Sequence, residues 1–134
     1  MINDSDAIRR RFTEFMSEFH SLTVAGSIHG ERLYKMAAID LHAFDKAIWL
    51  SSIRTVERDR GHGSIALDWL CSLADKHSVP ITGEAKPYDT AVINDVKRNA
   101  LDNAQLTAWY ERRGFKVSAL YMRRDPQRQN ATDK

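Results

Sequence analysis

The central part of the sequence reads Ala47-Ile-Trp-Leu-Ser-Ser-Ile-Arg-Thr-Val-Glu-Arg-Asp-Arg-Gly-His-Gly-Ser-Ile-Ala66. It begins with an apolar run through Ile48, Leu50 and Ile53, whose polar neighbours are small, and this pattern predicts a strand packed on both faces. A short charged loop follows, and from Ser64 onward the apolar residues recur at helical spacing. The stretch therefore predicts a strand, a loop and a helix in that order.

The loop before this helix has the features of a phosphate-binding site. Its glycines let the backbone approach a ligand with no Cβ in the way. The start of a helix offers N–H donors without helical partners and the positive end of the helix dipole, both of which favour phosphate. Arg58, Arg60 and His62 add charge-assisted donors. The predicted pyrophosphate site consists of Arg58, Asp59, Arg60, Gly61, His62, Gly63 and Ser64.

Two common phosphate motifs fit this loop poorly. A P-loop ends in Gly-Lys-Ser/Thr, and the sequence contains no such triplet. A dinucleotide fingerprint of the form GxGxxA is met by Gly61 to Ala66, with Glu84 about 20 residues further on. That motif requires its first glycine almost at the strand end, whereas Thr55-Val-Glu-Arg-Asp-Arg60 intervenes here.

A third pattern, Arg/Gln-x-x-Gly-x-Gly/Ala, is met by Arg58, Gly61 and Gly63. It resembles the acyl-CoA loop of the GNAT superfamily of N-acetyltransferases. A second match lies later in the chain, where GNAT proteins carry an Asn, a Tyr seven residues on, and Gly-Phe four and five residues after the Tyr. The residues at that spacing are Asn103, Tyr110, Gly114 and Phe115.

The resemblance covers roughly residues 32–124 and implies a fold. It implies an α/β chain of the α+β type with a GNAT-like fold, in which a mostly antiparallel central sheet contains one splayed parallel pair and is flanked by helices. We expect one such domain over residues 1–124 and a polar, disordered tail over 125–134. No strand is predicted before Asp6, where the family usually has one, so we expect a shortened front that leaves the acceptor pocket undefined.

Local patterns predict the elements along the chain. The predicted elements are a helix from Asp4 or Ser5 to about Phe19, a loop from Ser21 to Glu31, a strand over Arg32–Phe44, a tight turn at Asp45-Lys46, the central strand, a helix from Ser64 to His77, a strand within Ser78–Glu84, a helix ending before Gly114, and a strand over Phe115–Tyr121. Tyr88–Leu101 has only weak periodicity. A strand, a crossover helix and a second strand run parallel within one sheet.

The resemblance also implies roles for particular residues. A backbone N–H near Ser52 and Ile53 polarises the thioester carbonyl, and Tyr110 is the general acid that protonates the departing thiolate. Asn103 either bonds the pantetheine of the cofactor or caps its helix.

A base must take a proton from the acceptor amine. The residues of suitable type are Glu57, Glu84, Asp40 and His42, and we choose Glu57 and Glu84.

Composition excludes several classes of protein. The chain has 134 residues, no apolar run near the length of a membrane span, and a single cysteine, Cys71, which fits a reducing cytoplasm and a core position. The five histidines and the cysteine show no metal-ligand spacing.

Nucleic acid is a poor fit as a partner. The formal net charge is only +2, and the short basic runs Arg9–Arg11, Arg112-Arg113 and Arg123-Arg124 are typical of a solvated surface. The exposed edge strand expected at residues 32–44 invites pairing with a second copy of the chain, as in a homodimer.

Together these features predict a cytoplasmic N-acetyltransferase that moves an acetyl group from acetyl-CoA to a primary amine of a small molecule or a protein. The alternative is a non-catalytic acyl-CoA-binding or host-interaction protein on a GNAT scaffold. The shortened front favours the alternative, and the presence of Tyr110 favours the enzyme.

Overall fold

The computed structural model describes residues 4–26, 30–55, 61–84, 103–119 and 121–127. In chain order the elements are α1 (Asp4–Leu22), β1 (Val24–Ala25), β2 (Arg32–Tyr34), β3 (Ala37–Phe44), β4 (Ala47–Thr55), α2 (His62–His77), β5 (Ile81–Glu84), α3 (Asn103–Glu111), β6 (Lys116–Ser118) and β7 (Tyr121–Arg124). None of the helices in this part of the chain is long and apolar enough to cross a membrane.

The strands form one mixed sheet in the order β1-β2-β3-β4-β5-β7-β6. β4 and β5 run parallel, and the other neighbouring pairs of described strands are antiparallel. The helix α2 connects the parallel pair, as a parallel connection requires. The predicted sheet, mostly antiparallel with one parallel pair, is therefore confirmed.

The turn predicted between β3 and β4 is confirmed as a two-residue hairpin loop. Phe44 pairs with Ala47, and the intervening Asp45 and Lys46 have φ values of 53° and 62°. Two successive residues with positive φ match the right-handed twist of the flanking strands, which is why such turns are favoured in hairpins.

Two strands predicted to be continuous are each divided by a turn. The strand expected over residues 32–44 breaks at Lys35-Met36, with Lys35 at φ 54°, and forms the β2–β3 hairpin. The strand expected over 115–121 breaks after Ser118, with Ala119 at φ 54°. These turns contain no Gly, Pro or Asn, so the sequence lacks the usual signal for them.

The hairpin also makes the predicted exposed edge strand wrong. β3 lies between β2 and β4, and β2 is in turn paired with β1. Among the described strands, the sheet ends instead at β1 and β6, which have two and three residues. Short edge strands limit pairing with another chain. The dimer prediction relied on an exposed edge at residues 32–44, and the described strands form no such edge there.

The core lies between the helices and one face of the sheet. Phe15 and Phe19 of α1 are 0% and 1% exposed and belong to this core. Leu67 and Leu70 of α2 are fully buried as well. The strands contribute Ile39, Ile48, Leu50 and Ile81 to this hydrophobic core.

The end of the described chain is tied to α2. Arg124 is only 5% exposed and forms a bidentate pair with Asp75, with N–O distances of 2.7 and 2.9 Å. The predicted solvated position is therefore wrong for Arg124, because β7 directs this residue inward to a carboxylate. The Gln127 backbone N–H also donates to Asp75. The rest of the predicted tail, 128–134, and the segment 88–101 lie outside the described residues, and the division into one domain and a tail stays a prediction.

Candidate functional site

The parallel strands stop pairing halfway along β4. The paired positions are Ile48–Ile81, Trp49–Thr82 and Leu50–Gly83, whereas β4 continues to Thr55. On the other side of β4, Asp40 lies opposite Ser52 and Leu41 opposite Leu50, so Ser51 is an extra residue that forms a β-bulge. Beyond Leu50, the edge of β4 that faces β5 therefore has no strand partner in the described part of the chain.

Gly83 makes the last paired position possible. A Cβ on Gly83 would lie 2.7 Å from the Leu50 carbonyl oxygen and 3.0 Å from Met122 Cε. A side chain at this position would push β5 away from the β4 backbone, whereas the Met122 side chain could move aside. The sequence analysis did not identify Gly83, although a glycine inside a strand pattern often indicates a close backbone approach.

The first turn of α2 opens beside the free end of β4. Gly61 precedes the helix with φ 73° and ψ 10°, and no described side chain caps the helix start. The Ile65 N–H reaches the Gly61 carbonyl at 3.0 Å. The N–H groups of His62, Gly63 and Ser64 come before the first residue that can find an acceptor within the helix. This end of α2 therefore presents backbone donors and a positive dipole end.

The two glycines of this turn have different roles. Gly61 lies in the left-handed region, which other residues adopt at a cost. A Cβ on Gly63 would lie 3.6 Å from both Thr55 Cγ2 and Trp109 Cζ2, which is ordinary van der Waals contact. Gly63 is therefore not required by packing within the protein, and its small size leaves the approach to the helix start open.

Helix α3 packs against the same helix start. Trp109 Nε1 donates to Ser64 Oγ at 2.9 Å, and its ring lies over Gly63. The Trp109 ring contacts Tyr110 edge to face at 5.0 Å between ring centroids, and Tyr110 contacts Phe115 in the same way at 5.1 Å. The structure thus brings together the end of β4, the start of α2 and the helix that carries Tyr110. The two sequence motifs, some forty residues apart, meet in space.

Tyr110 itself lies in the core, with 7% of its surface exposed. Gly114 has φ 94° and ends the helical region as predicted, and the Phe115 N–H returns to the Tyr110 carbonyl. The motif spacing therefore has a structural consequence, since it brings Phe115 against the Tyr110 ring. The role of Tyr110 as general acid stays a prediction, as does that of Asn103, the first residue of α3.

The candidate bases are dispersed. Asp40 lies opposite Ser52 at the bulge and is half-buried, whereas His42 lies opposite Trp49 and is exposed. Glu84 is exposed at the end of β5, opposite Tyr121.

The remaining predicted residues of the loop, Glu57, Arg58, Asp59 and Arg60, lie outside the described residues. The geometry does not single out one of these groups as the base.

Cys71 is excluded as a nucleophile. It is 6% exposed within the core, and burial raises the pKa of its thiol to about 11. The thiol therefore stays protonated near neutral pH, where only a thiolate is reactive. The predicted core position of Cys71 is confirmed.

Arg113 was predicted to lie on a solvated surface. It instead links α3 to α2. Its side chain is 14% exposed and its Nε lies 2.7 Å from Asp68 Oδ1 of α2. It also donates to the Trp109 carbonyl at 2.7 Å, and its guanidinium lies 5.1 Å from the centroid of the Trp109 ring. The sequence signal for this contact is the spacing of four residues between Trp109 and Arg113, which places them on one helix face.

Comparison with solved structures gives one match that bears on this geometry. The chain is similar to the anti-CRISPR protein AcrVA5, with a TM-score of 0.53 and 17% sequence identity, over 69% of this chain and 94% of that one. The fold is GNAT-like. At this identity the likeness shows the fold alone. No protein-family model matches the sequence, and no curated protein matches it.

Proposed function

We propose that the protein is an N-acetyltransferase that moves an acetyl group from acetyl-CoA to a primary amine by direct attack in a ternary complex. The observation that carries this proposal is the position of the α2 start. It presents backbone donors without a side-chain cap, beside the stretch of β4 that has left β5. The GNAT-like fold supports the same assignment.

The residues present fit an acyl-CoA. The N–H groups of the first turn of α2 suit a pyrophosphate, and the proposed cofactor-binding loop adds Arg58, Asp59 and Arg60. The edge of β4 that is not paired with β5 begins after Leu50, and Ser52 directly follows the bulge residue Ser51. This edge suits the thioester. There a backbone N–H near Ser52 or Ile53 donates to the carbonyl oxygen as negative charge develops on it.

The proposed transfer needs two proton movements. The acceptor nitrogen forms a bond to the acetyl carbon, the carbon–sulfur bond breaks, and the amine loses a proton to a base. Of the two bases chosen from the sequence, Glu84 is the one within the described residues. Tyr110 donates its phenolic proton to the departing thiolate and is reprotonated from solvent, since a phenol pKa of ~10 lies close to that of a thiol at ~8.5.

An acetylation assay tests this function. The purified chain is incubated with acetyl-CoA and a panel of amines, peptides and proteins, while free thiol release and acetylated product are both measured. We expect product with at least one class of primary amine. Its rate should rise with pH, because alkylamines have pKa values of ~10.4 and react only when neutral. Tight CoA binding without any acetylated acceptor would contradict the enzymatic proposal.

A second candidate function has one observation in its favour. The structural neighbour is described as an anti-CRISPR protein, which favours a chain that binds a macromolecule of another organism. In that case the chain is a non-catalytic acyl-CoA-binding or host-interaction protein on the same scaffold. The same assay separates these outcomes, because a protein acceptor gives an acetylated product and a non-catalytic scaffold gives none.

A further inference from the structure

Trp109 lies at the junction between α3 and the first turn of α2. Its indole Nε1–H donates to Ser64 Oγ at 2.9 Å, and its Cζ2 lies 3.6 Å from the position of a Cβ on Gly63. Ser64 is the third residue of the helix, and a side chain at that position reaches back toward the helix start. The indole therefore contacts the turn that carries the backbone donors.

The hydrogen bond determines what the Ser64 hydroxyl can do. A hydroxyl has one proton to donate and two lone pairs to accept with. An indole N–H only donates, so Ser64 accepts from Trp109 and keeps its own proton for another acceptor. Successive hydrogen bonds polarise one another, and the accepted bond makes the Ser64 O–H a better donor toward an anion at the helix start.

The indole is held from its other side as well. The Arg113 guanidinium lies 5.1 Å from the ring centroid, donates to the Trp109 carbonyl, and is anchored to Asp68 of α2 at 2.7 Å. The ring cannot turn away from Ser64 without disturbing these contacts. The packing of α3 on α2 therefore fixes the orientation of the indole N–H.

We propose that Trp109 is a positioning residue that directs the Ser64 hydroxyl proton to the pyrophosphate of the acyl donor, and so makes the enzyme prefer donors that carry a pyrophosphate. This inference rests on the proposed acetyl-CoA-dependent function. Trp109 acts through Ser64 and does not itself contact the reacting atoms. Its effect should therefore appear in donor binding and not in the chemical step.

The test compares two acetyl donors in the Trp109→Phe variant. Acetyl-CoA carries the pyrophosphate, and S-acetylpantetheine carries the same thioester without it. Phe keeps an aromatic ring and removes the N–H donor, although its ring is smaller than the indole, so the donor lacking a pyrophosphate serves as the control for lost packing. We expect KM for acetyl-CoA to rise about tenfold, as for the loss of one hydrogen bond to a charged group. With S-acetylpantetheine, kcat/KM should stay within about twofold, and kcat should change little with either donor.

Two further variants isolate the route through Ser64. Ser64→Ala should give the same donor-specific loss, and Trp109→Phe combined with Ser64→Ala should lose no more than Ser64→Ala alone, because both changes remove one interaction. Trp69→Phe is the matched control. That indole stacks on Tyr34 at 3.9 Å between ring centroids and packs against the core, so its loss should lower stability without changing the ratio between the two donors.

The outcomes are distinct. Equal losses with both donors would overturn the proposal and leave Trp109 a purely structural residue, and so would an unchanged KM in a folded Trp109→Phe variant. If Trp109→Phe does not fold, an unchanged preference between the two donors in Ser64→Ala overturns the proposal, because Trp109 acts only through Ser64. Calorimetry with CoA and with pantetheine gives the same comparison if no turnover is found. A wild-type chain that neither binds CoA nor turns over acetyl-CoA would reject the proposed function itself.

Discussion

The two ends of α2 are built in opposite ways. At the C-terminal end, Ser78 adopts the left-handed conformation and its N–H bonds the carbonyls of Ala74 and Asp75. The Val79 N–H returns to the Ala74 carbonyl at 2.9 Å. At the N-terminal end no described side chain caps the helix. The protein thus satisfies the backbone groups at the C-terminal end, whereas the N-terminal end has no side-chain cap among the described residues.

The charged side chains also differ between the two ends of α2. Near the C-terminal end, Asp75 accepts both arms of Arg124, and Lys76 and His77 both bond Glu18 of α1 at 2.9 and 2.7 Å. Near the N-terminal end, the first turn contains no acidic residue. A carboxylate there would occupy the place of a phosphate. The C-terminal end of α2 therefore anchors the fold, whereas the N-terminal end is the proposed ligand site.

The largest expected effect on stability comes from Asp75→Ala. It leaves Arg124, which is 5% exposed, without its buried carboxylate. Breaking a buried ion pair by removing one partner costs ~3–5 kcal/mol. Urea unfolding followed by circular dichroism measures the loss. Asp68→Ala is the matched comparison nearer the N-terminal end, because the Asp68 carboxylate is 63% exposed although its partner Arg113 is 14% exposed, and we expect it to cost less than Asp75→Ala. Similar losses for both variants would contradict the division between the two ends.

Tyr110→Phe should affect catalysis more than stability. If Tyr110 protonates the thiolate, the single-turnover rate falls by ~10²-fold or more, while acetyl-CoA affinity stays within a few-fold. A tyrosine with only a core role predicts a nearly intact rate and a loss of ~1 kcal/mol if its hydroxyl gives up a hydrogen bond. Rapid-quench rates measured beside a melting curve distinguish these outcomes. A wild-type rate would reject the general acid.

The two glycines of the α2 start should respond differently to alanine. Gly61→Ala places a Cβ at φ 73° and should cost about 1 kcal/mol of unfolding free energy, although the space around it is open. Gly63→Ala adds only ordinary contacts and should leave stability unchanged or slightly raised, since alanine favours helices. Thermal melts of both variants check this contrast. Equal melting temperatures would show that the left-handed conformation of Gly61 carries no cost.

The smallest effect concerns pH. Hydrogen bonds from Lys76 and His77 lower the pKa of Glu18. A carboxyl with a lowered pKa in the folded state adds stability above its unfolded pKa, and this contribution is lost as pH falls through the folded pKa. Glu18→Gln should therefore be slightly less stable than wild type near neutral pH, and the difference should vanish in acid. A difference that persists in acid would show a packing effect instead.

Much of the difference between the two ends of α2 was predictable from the sequence. The strand–loop–helix order of residues 47–66 rests on local apolar periodicity, and the glycines and basic residues before α2 indicate a phosphate site directly. The mixed sheet with one parallel pair followed from the resemblance, because a shared motif spacing implies a shared fold. These features depend on neighbours in the sequence or on a pattern common to a family.

The anchoring contacts were not predictable. Arg124 and Arg113 look like surface residues in the sequence, and their burial depends on carboxylates of α2 that only the tertiary structure brings near. The bond from Trp109 to Ser64 joins residues far apart in the chain. The turns at Lys35 and Ala119 contain no turn-forming residue. Each of these features is set by packing between elements, which a one-dimensional pattern does not record.

The most direct test of the account is a calorimetric titration of acetyl-CoA into the wild-type chain, Gly63→Ala and Gly63→Asp. The aspartate adds bulk and negative charge at the helix start, where we propose that the pyrophosphate binds. We expect binding by the wild-type chain, at most a modest loss for Gly63→Ala, and no measurable binding by Gly63→Asp, with all three proteins folded by circular dichroism. A folded Gly63→Asp variant with wild-type affinity would contradict the proposed pyrophosphate site.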